Sequence, residues 1–480
     1  MEDEIDAEII EPFKLSFSDL TLLSSYSSTI RYSLSEEENE RLDSISRAVM
    51  ETLGPSGPGL LLVSPVPKAA ADLRRSLLPL ARKLALLSDE DRRRVLKEYS
   101  LCTDVPLKNP DRGVSSFALQ LKYVKDTIAF GESNDTAKDT FEAHLGSGSL
   151  HDPSDEEFKS LENNFRELGN CMMEVGLLLA RLCDMAIGGQ ELEQSILESR
   201  AAKGRLIHYH STLDNCILKE ARKAKGSSKR LTNNLSAHLH GRGVSGISNL
   251  NEEAPVKNLN LVTGGNNAKS CKTSLSNLWE QWHYDYGIFT VLTVPMFISS
   301  ILTEAKQGLR MSFEQECSPP DGHSYLQILH PTRKSICLVK CPPESFVVQV
   351  GESADVLSKG KLCSTLHSVC RPAKQGFVSR ETFVVFLQPA WDKTFIIPET
   401  ICESSIECDR YIEMEDEEIQ STAESVSPSS EVRQSHDLTQ VIHKIIPPLS
   451  SRLKNGMTFA EFSRETTKQY YGASGMQSKR

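Results

Sequence analysis

Between Trp282 and Pro389 the sequence breaks into short runs rich in Val, Ile, Leu and Phe, separated by clusters of Pro, Gly and Lys. Phe289 to Val294, Ser324 to Leu329, Ser335 to Val339, Ser345 to Val350 and Thr382 to Leu387 each have the β-branched and aromatic content of a strand. Strands spaced this closely point to a jelly roll or barrel. The N-terminal third is mixed. Ser35 with Glu38 three residues on forms a capping box before the stripe Leu42, Ile45, Val49 and Leu53, and Gly54-Pro55 stops it. Gly59 to Val63 reads as a short buried strand. Val66 to Leu87 and Asp89 to Tyr99 read as helices, the second with Ser88 as N-cap.

The longest periodic segment is Leu161 to Leu182, where Leu161, Phe165, Leu168, Met172, Val175, Leu179 and Leu182 alternate in steps of four and three. That spacing places them on one helix face. The stripe is short for a coiled coil and is interrupted by Gly169 and Gly176, so the expected partner is the chain's own sheet, and Gly188-Gly189 end the helix.

At 480 residues the chain has room for about three units of ~150 residues. Its 54 Lys+Arg against 65 Asp+Glu give a net charge of -11, which disfavours a protein whose business is covering phosphates, and nucleic acid is not an expected partner. The longest uncharged run, Tyr286 to Thr303, contains Pro295 and falls short of the ~20 apolar residues needed to cross a bilayer, so no membrane span is expected. The start, Met1-Glu2-Asp3-Glu4, has neither a basic region nor an apolar stretch, so a cytoplasmic chain is expected, with the nucleus as the other possibility, and its 12 scattered Cys are expected as reduced thiols. From Lys219 to Arg242 there are seven Lys/Arg against Glu220 alone, and Gly226 to Lys272 is rich in Ser, Asn and Gly without a period. Glu403 to Glu431 holds ten acidic residues against Arg410. The expected organisation is an N-terminal α/β region at 1–150, a long helix and first core strand at 151–213, and a flexible basic insertion at 214–275. A jelly-roll core follows at 276–396, then an acidic disordered linker at 397–437 and a helical tail at 438–480 that docks back through Phe459, Phe462 and Tyr470.

Chemistry concentrates in Trp282-His283-Tyr284-Asp285-Tyr286-Gly287, directly before an apolar strand. In an extended segment residues i and i+2 share a face, so His283 and Asp285 can reach one cation. With His367 further along they make two imidazoles and one carboxylate, the donor set of a non-haem iron(II) centre that leaves positions open for cosubstrate and oxygen. Arg380 and Thr382 share a face in the same way, and together a guanidinium and a hydroxyl can hold a carboxylate. His208, His210, His323 and His330 read as ordinary core-edge or surface histidines.

Taken together, these residues resemble the 2-oxoglutarate and Fe(II)-dependent dioxygenase superfamily, in the plant-type branch that includes isopenicillin N synthase. The resemblance runs from about Arg205 to Pro389. His283-Tyr-Asp285-Tyr-Gly287-Ile-Phe-Thr290 is similar to the family's HxDxGxLT segment, Val348 to Val369 to its stretch ending in the second ligand histidine, and Arg380-x-Thr382 to its RxS pair. Arg205-Leu-Ile-His-Tyr209 is similar to the strand whose Tyr also contacts the cosubstrate. Departures from the pattern are Thr382 for the usual Ser, Ser368 where Arg is common, and long spacings after Tyr209 and after Asp285.

The resemblance implies an α+β protein, a double-stranded β-helix (jelly roll) core with N-terminal helices packed against it. It implies Fe(II) on His283, Asp285 and His367, and 2-oxoglutarate held by Arg380, Thr382 and Tyr209. Ascorbate is the accompanying reductant, and molecular oxygen and a small-molecule substrate, hydroxylated or desaturated, complete the expected partners of a monomeric enzyme. The competing expectation is a catalytically inactive jelly-roll module that engages a protein or nucleic-acid partner.

Overall fold

The computed structural model describes residues 4–25, 32–103, 105–123, 157–234, 270–305, 308–372, 376–397, 441–442 and 444–471. Sixteen strands occur among them. In chain order they are β1 (Glu4–Ile10), β2 (Lys14–Leu15), β3 (Leu60–Val63), β4 (Cys102–Thr103), β5 (Val114–Lys122), β6 (Ala201–Tyr209), β7 (Ser270–Ser274) and β8 (Leu278–His283). There follow β9 (Phe289–Thr293), β10 (Met296–Ala305), β11 (Gly308–Cys317), β12 (Leu326–Leu329), β13 (Ile336–Val339), β14 (Phe346–Val350), β15 (His367–Cys370) and β16 (Val378–Leu387).

Two sheets form. The smaller runs β7-β1-β13-β12-β15-β8 and the larger β2-β3-β14-β9-β16-β6-β5-β4, with the β10–β11 hairpin branching from β16. All five strands expected between Trp282 and Pro389 are present, and the fold is the jelly-roll core with N-terminal helices that the sequence implies. The sheets also recruit strands from well outside 276–396: β1 runs parallel to β13, β3 pairs with β14, and β6 lies between β5 and β16. The expected N-terminal α/β region is therefore woven into the core through its strands. β1, β5 and the β10–β11 hairpin went unassigned from sequence.

Side-chain alternation in the larger sheet sorts its residues into two compartments. On β16, Phe383, Val385 and Leu387 join the helix-facing cluster, whereas Val378 and Val384 join the cluster that β6, β8 and β15 also line. The helix Leu161–Ile187 supplies most of the apolar cover on the first side, and Gly188 ends it in the left-handed region at φ 87°. Gly169 and Gly176 turn out to be contact points: a Cβ at Gly169 would lie 2.5 Å from Leu121 Cδ1, and one at Gly176 2.7 Å from Leu387 Cδ2. Beside them Phe165 meets Phe383 edge-on with centroids 4.6 Å apart, both rings fully buried. Phe165→Leu keeps an apolar side chain but loses this geometry, and chemical denaturation is expected to read a loss of about 1–2 kcal/mol.

Two local readings need adjustment. Ser35 Oγ does accept from Glu38 N at 3.2 Å, but the Glu38 carboxylate turns to Arg41, so only half of the capping box forms. Residues 214–275, expected as a flexible insertion, begin with the helix Thr212–Asn234 and end with β7. A full capping box starts that helix, Ser211 N donating to Asp214 Oδ2 at 2.8 Å and Asp214 N to Ser211 Oγ at 3.1 Å, a signal that the Ser- and Asn-rich composition beyond it masked. The rest of the insertion, 235–269, and the acidic segment, 398–440, lie outside the described residues.

The tail packs on the core. Helix Phe459–Tyr471 buries Phe459 and Phe462 with Phe395 and Val356, and Arg452 forms a buried ion pair with Glu352. Thr458 begins this helix with a second reciprocal box, its N–H donating to Glu461 Oε2 at 2.8 Å and its hydroxyl accepting from Glu461 N at 3.3 Å. Thr458→Ala is expected to cost about 1 kcal/mol, and hydrogen exchange should localise the loosening to 449–471. Among the described residues no helix is long and apolar enough to cross a membrane, and the ten described cysteines are free.

Candidate metal centre and carboxylate anchor

β8 and β15 run antiparallel with His283 directly opposite His367, and their rings stand 4.3 Å apart. Asp285 follows β8 immediately. Its Oδ1 lies 3.8 Å from His283 Nε2 and its Oδ2 3.8 Å from His367 Nε2. All three donor atoms fall within 4.8 Å of one another.

The surroundings fix which ring nitrogen is free. His283 Nδ1 lies 2.7 Å from the Gln281 carbonyl and His367 Nδ1 3.0 Å from that of Thr365. A carbonyl only accepts, so each Nδ1 carries the proton and each Nε2 offers a lone pair toward Asp285. Burial, then the facing His283, pushes the His367 pKa down and keeps that ring neutral. The Thr290 hydroxyl donates to Asp285 Oδ2 at 2.6 Å, which orients the carboxylate.

Gly351 closes the back of this loop. A Cβ there would lie 2.3 Å from the Gly287 carbonyl oxygen and 3.0 Å from that of Asp285. Its neighbour Glu352 donates its N–H to Asp285 O at 2.8 Å while its carboxylate pairs with Arg452. Tyr284 N donates to the Tyr470 hydroxyl at 3.3 Å. The tail thus buttresses the residues on both sides of Asp285.

Arg380 projects from β16 into the same compartment. It is buried, its Nε donates to the Ser324 carbonyl at 3.0 Å, and its guanidinium carbon stands 4.9 Å from the centre of the Tyr209 ring. Its Nη1 is buried with no partner. Burial pulls the Arg380 pKa down, against the opposing pull of Tyr209 and Glu280. Thr382, on the same face, donates to the Thr293 carbonyl at 3.3 Å. The sequence-derived set is therefore brought together, with one change of role: the Tyr209 hydroxyl donates to Glu280 at 2.8 Å, leaving the ring as the part of Tyr209 that meets Arg380.

Glu280 is the site residue that sequence reasoning missed. Its Oε1 lies 3.9 Å from His283 Nε2. Strict alternation along β8 sends Glu280 to the face opposite His283, but the β8–β15 register shifts between these positions, and such a bulge re-aims a side chain.

A family model described as the 2OG-Fe(II) oxygenase superfamily matches residues 310–389, the stretch that contributes His367, Arg380 and Thr382. Over those residues the chain is similar to that superfamily, whose members are 2-oxoglutarate-dependent dioxygenases. No curated protein matches the sequence. Similar solved structures include a full-length Neurospora crassa protein in complex with alpha-KG and 5-formyluracil, 14% identical, covering 82% of this chain and 88% of that one at a TM-score of 0.41. The dioxygenase for auxin oxidation in rice is 16% identical over 81% of this chain and 86% of its own, TM-score 0.41. Its Arabidopsis thaliana counterpart in complex with 2-oxoglutarate is 12% identical over 80% and 94%, TM-score 0.37.

Proposed function

We propose that this enzyme couples decarboxylation of 2-oxoglutarate to hydroxylation or desaturation of a small organic molecule, holding iron(II) on His283, Asp285 and His367 and the distal carboxylate of 2-oxoglutarate on Arg380 and Thr382. The orphaned Arg380 Nη1 carries this reading. A buried guanidinium with an unsatisfied donor calls for an anion, and the triad on the neighbouring strands calls for a cation. A dianion able to reach both satisfies the compartment at once. When bound, iron and 2-oxoglutarate supply the oxidising chemistry.

The chain's own residues perform the rest. His283 and His367 present deprotonated Nε2 atoms because their Nδ1 protons are held by carbonyls, and Thr290 fixes Asp285. Arg380 is set in direction by Ser324 and rests over Tyr209, which Glu280 in turn holds. Trp279, Phe297 and Tyr325 line the compartment, exclude water and strengthen the charge pairing inside it. Such a lining suits an organic substrate with an apolar face.

Anaerobic protein given iron(II) and 2-oxoglutarate is expected to develop the weak visible charge-transfer band of the chelate. On admitting oxygen with ascorbate present it should lose the band and release succinate. Protein that binds iron yet shows neither band nor succinate would support the inactive-module reading instead.

A further inference from the structure

His208, on β6, and His210, the residue just past its end, flank Tyr209 and lie on the face opposite to it. His208 Nδ1 lies 2.8 Å from the Glu381 carboxylate on β16, and His210 Nε2 lies 2.8 Å from Ser115 Oγ on β5, which also accepts from Arg112 Nε. Asp214 comes from the first turn of the helix Thr212–Asn234. Its Oδ1 accepts from Arg82 Nη2 at 2.7 Å, and its Oδ2 from the N–H and hydroxyl of Ser211. His208, His210 and Asp214 are all buried, with at most 2% of their surface exposed.

His210 Nδ1 has no hydrogen-bond partner, and His208 Nε2 makes no bond of good geometry, facing only the Asp214 carboxylate. His208 Nε2 is 3.5 Å from Asp214 Oδ2, and one donor atom from each residue falls within 4.8 Å of the others. We propose that His208 Nε2, His210 Nδ1 and Asp214 Oδ2 bind a second divalent cation, of the zinc class by its donors, between β6 and the root of the Thr212–Asn234 helix.

The surroundings repeat the pattern of protein zinc sites. One imidazole is backed by a carboxylate, the other by a hydroxyl, and the coordinating carboxylate is itself held by hydrogen bonds. The alternative occupant is a proton. Burial opposes charge on His208, yet Glu381 and Asp214 together raise its pKa to about 9. A proton there leaves the His210 problem unsolved: burial pushes His210 well below its usual range, and either neutral tautomer strands Nδ1 with nothing to bond. A cation answers both nitrogens.

This site is independent of the iron triad, so the test removes the triad first. Full-length protein carrying His283→Ala and His367→Ala, loaded with zinc and freed of loose metal with a chelator, is expected to retain one equivalent. With cobalt(II) in place of zinc it should show the intense visible bands of a low-coordinate ion. Adding His210→Gln should weaken that binding by about a hundred-fold or more. Where this triple variant fails to fold, X-ray absorption at the zinc edge of the double variant decides: two imidazoles and no sulfur support the site, and a sulfur shell from the cysteines overturns it. No retained metal in the double variant also overturns it and leaves the cluster to a proton or a buried water. Retention undiminished by His210→Gln does the same.

Discussion

Replacing His367 with Ala is expected to lower 2-oxoglutarate-dependent succinate release by roughly a thousand-fold or more, because several kcal/mol of metal-derived stabilisation go with the ion. His367 is the most deeply buried member of the triad and sits opposite His283 in the ladder, so its loss leaves one imidazole and one carboxylate that cannot enclose a cation. The backbone pairing of β15 with β8 and β12 uses no side-chain atom of His367, so the fold should survive. Iron content by elemental analysis and succinate by mass spectrometry read the result. Iron content equal to wild type would remove His367 from the ligand set.

Arg380→Leu is expected to weaken 2-oxoglutarate binding by about a hundred- to a thousand-fold, the consequence of leaving a carboxylate in a closed compartment without its cation at a cost of about 3–4 kcal/mol. Arg380→Lys should recover only a fraction of this. The guanidinium is held in orientation by Ser324 through Nε while Nη1 reaches the ligand, and an ammonium on a flexible stem cannot make both contacts in that geometry. Titration of the anaerobic charge-transfer band gives the affinity directly. An unchanged affinity in Arg380→Leu moves the anchor elsewhere. Arg371, the next arginine along the chain, is a poor substitute, since it lies against Gly113.

The parts of this molecule that sequence made legible are those whose determinants are local. Ser88 capping its helix through Asp91, the four-three stripe from Leu161, and the apolar runs that became β9, β12, β13, β14 and β16 each announce themselves within a dozen residues. The i, i+2 logic that pairs His283 with Asp285 and Arg380 with Thr382 belongs to the same class. What stayed hidden depends on partners distant in the chain. Glu280 is turned by a register shift that only β15 defines. The strands β1 and β5 find their partners β13 and β6 far along the chain, which no local pattern reveals. His208 and His210 read as ordinary because Asp214, Glu381 and Ser115 meet them only after three strands and a helix have assembled.

The buttress from the tail carries a consequence for how the protein is made. Tyr284 and Tyr470, which touch through a hydrogen bond, are separated by 186 positions. At a synthesis rate of ~5–20 residues per second, roughly ten to forty seconds pass between the emergence of the first iron ligand and that of the helix that braces it. Through that interval Glu352 lacks Arg452, and the loop bearing Asp285 lacks its outer support. If the proposed iron site is right, its bracing is a late event in biogenesis, and nascent chains stalled before residue 452 are expected to hold iron less tightly than the finished protein.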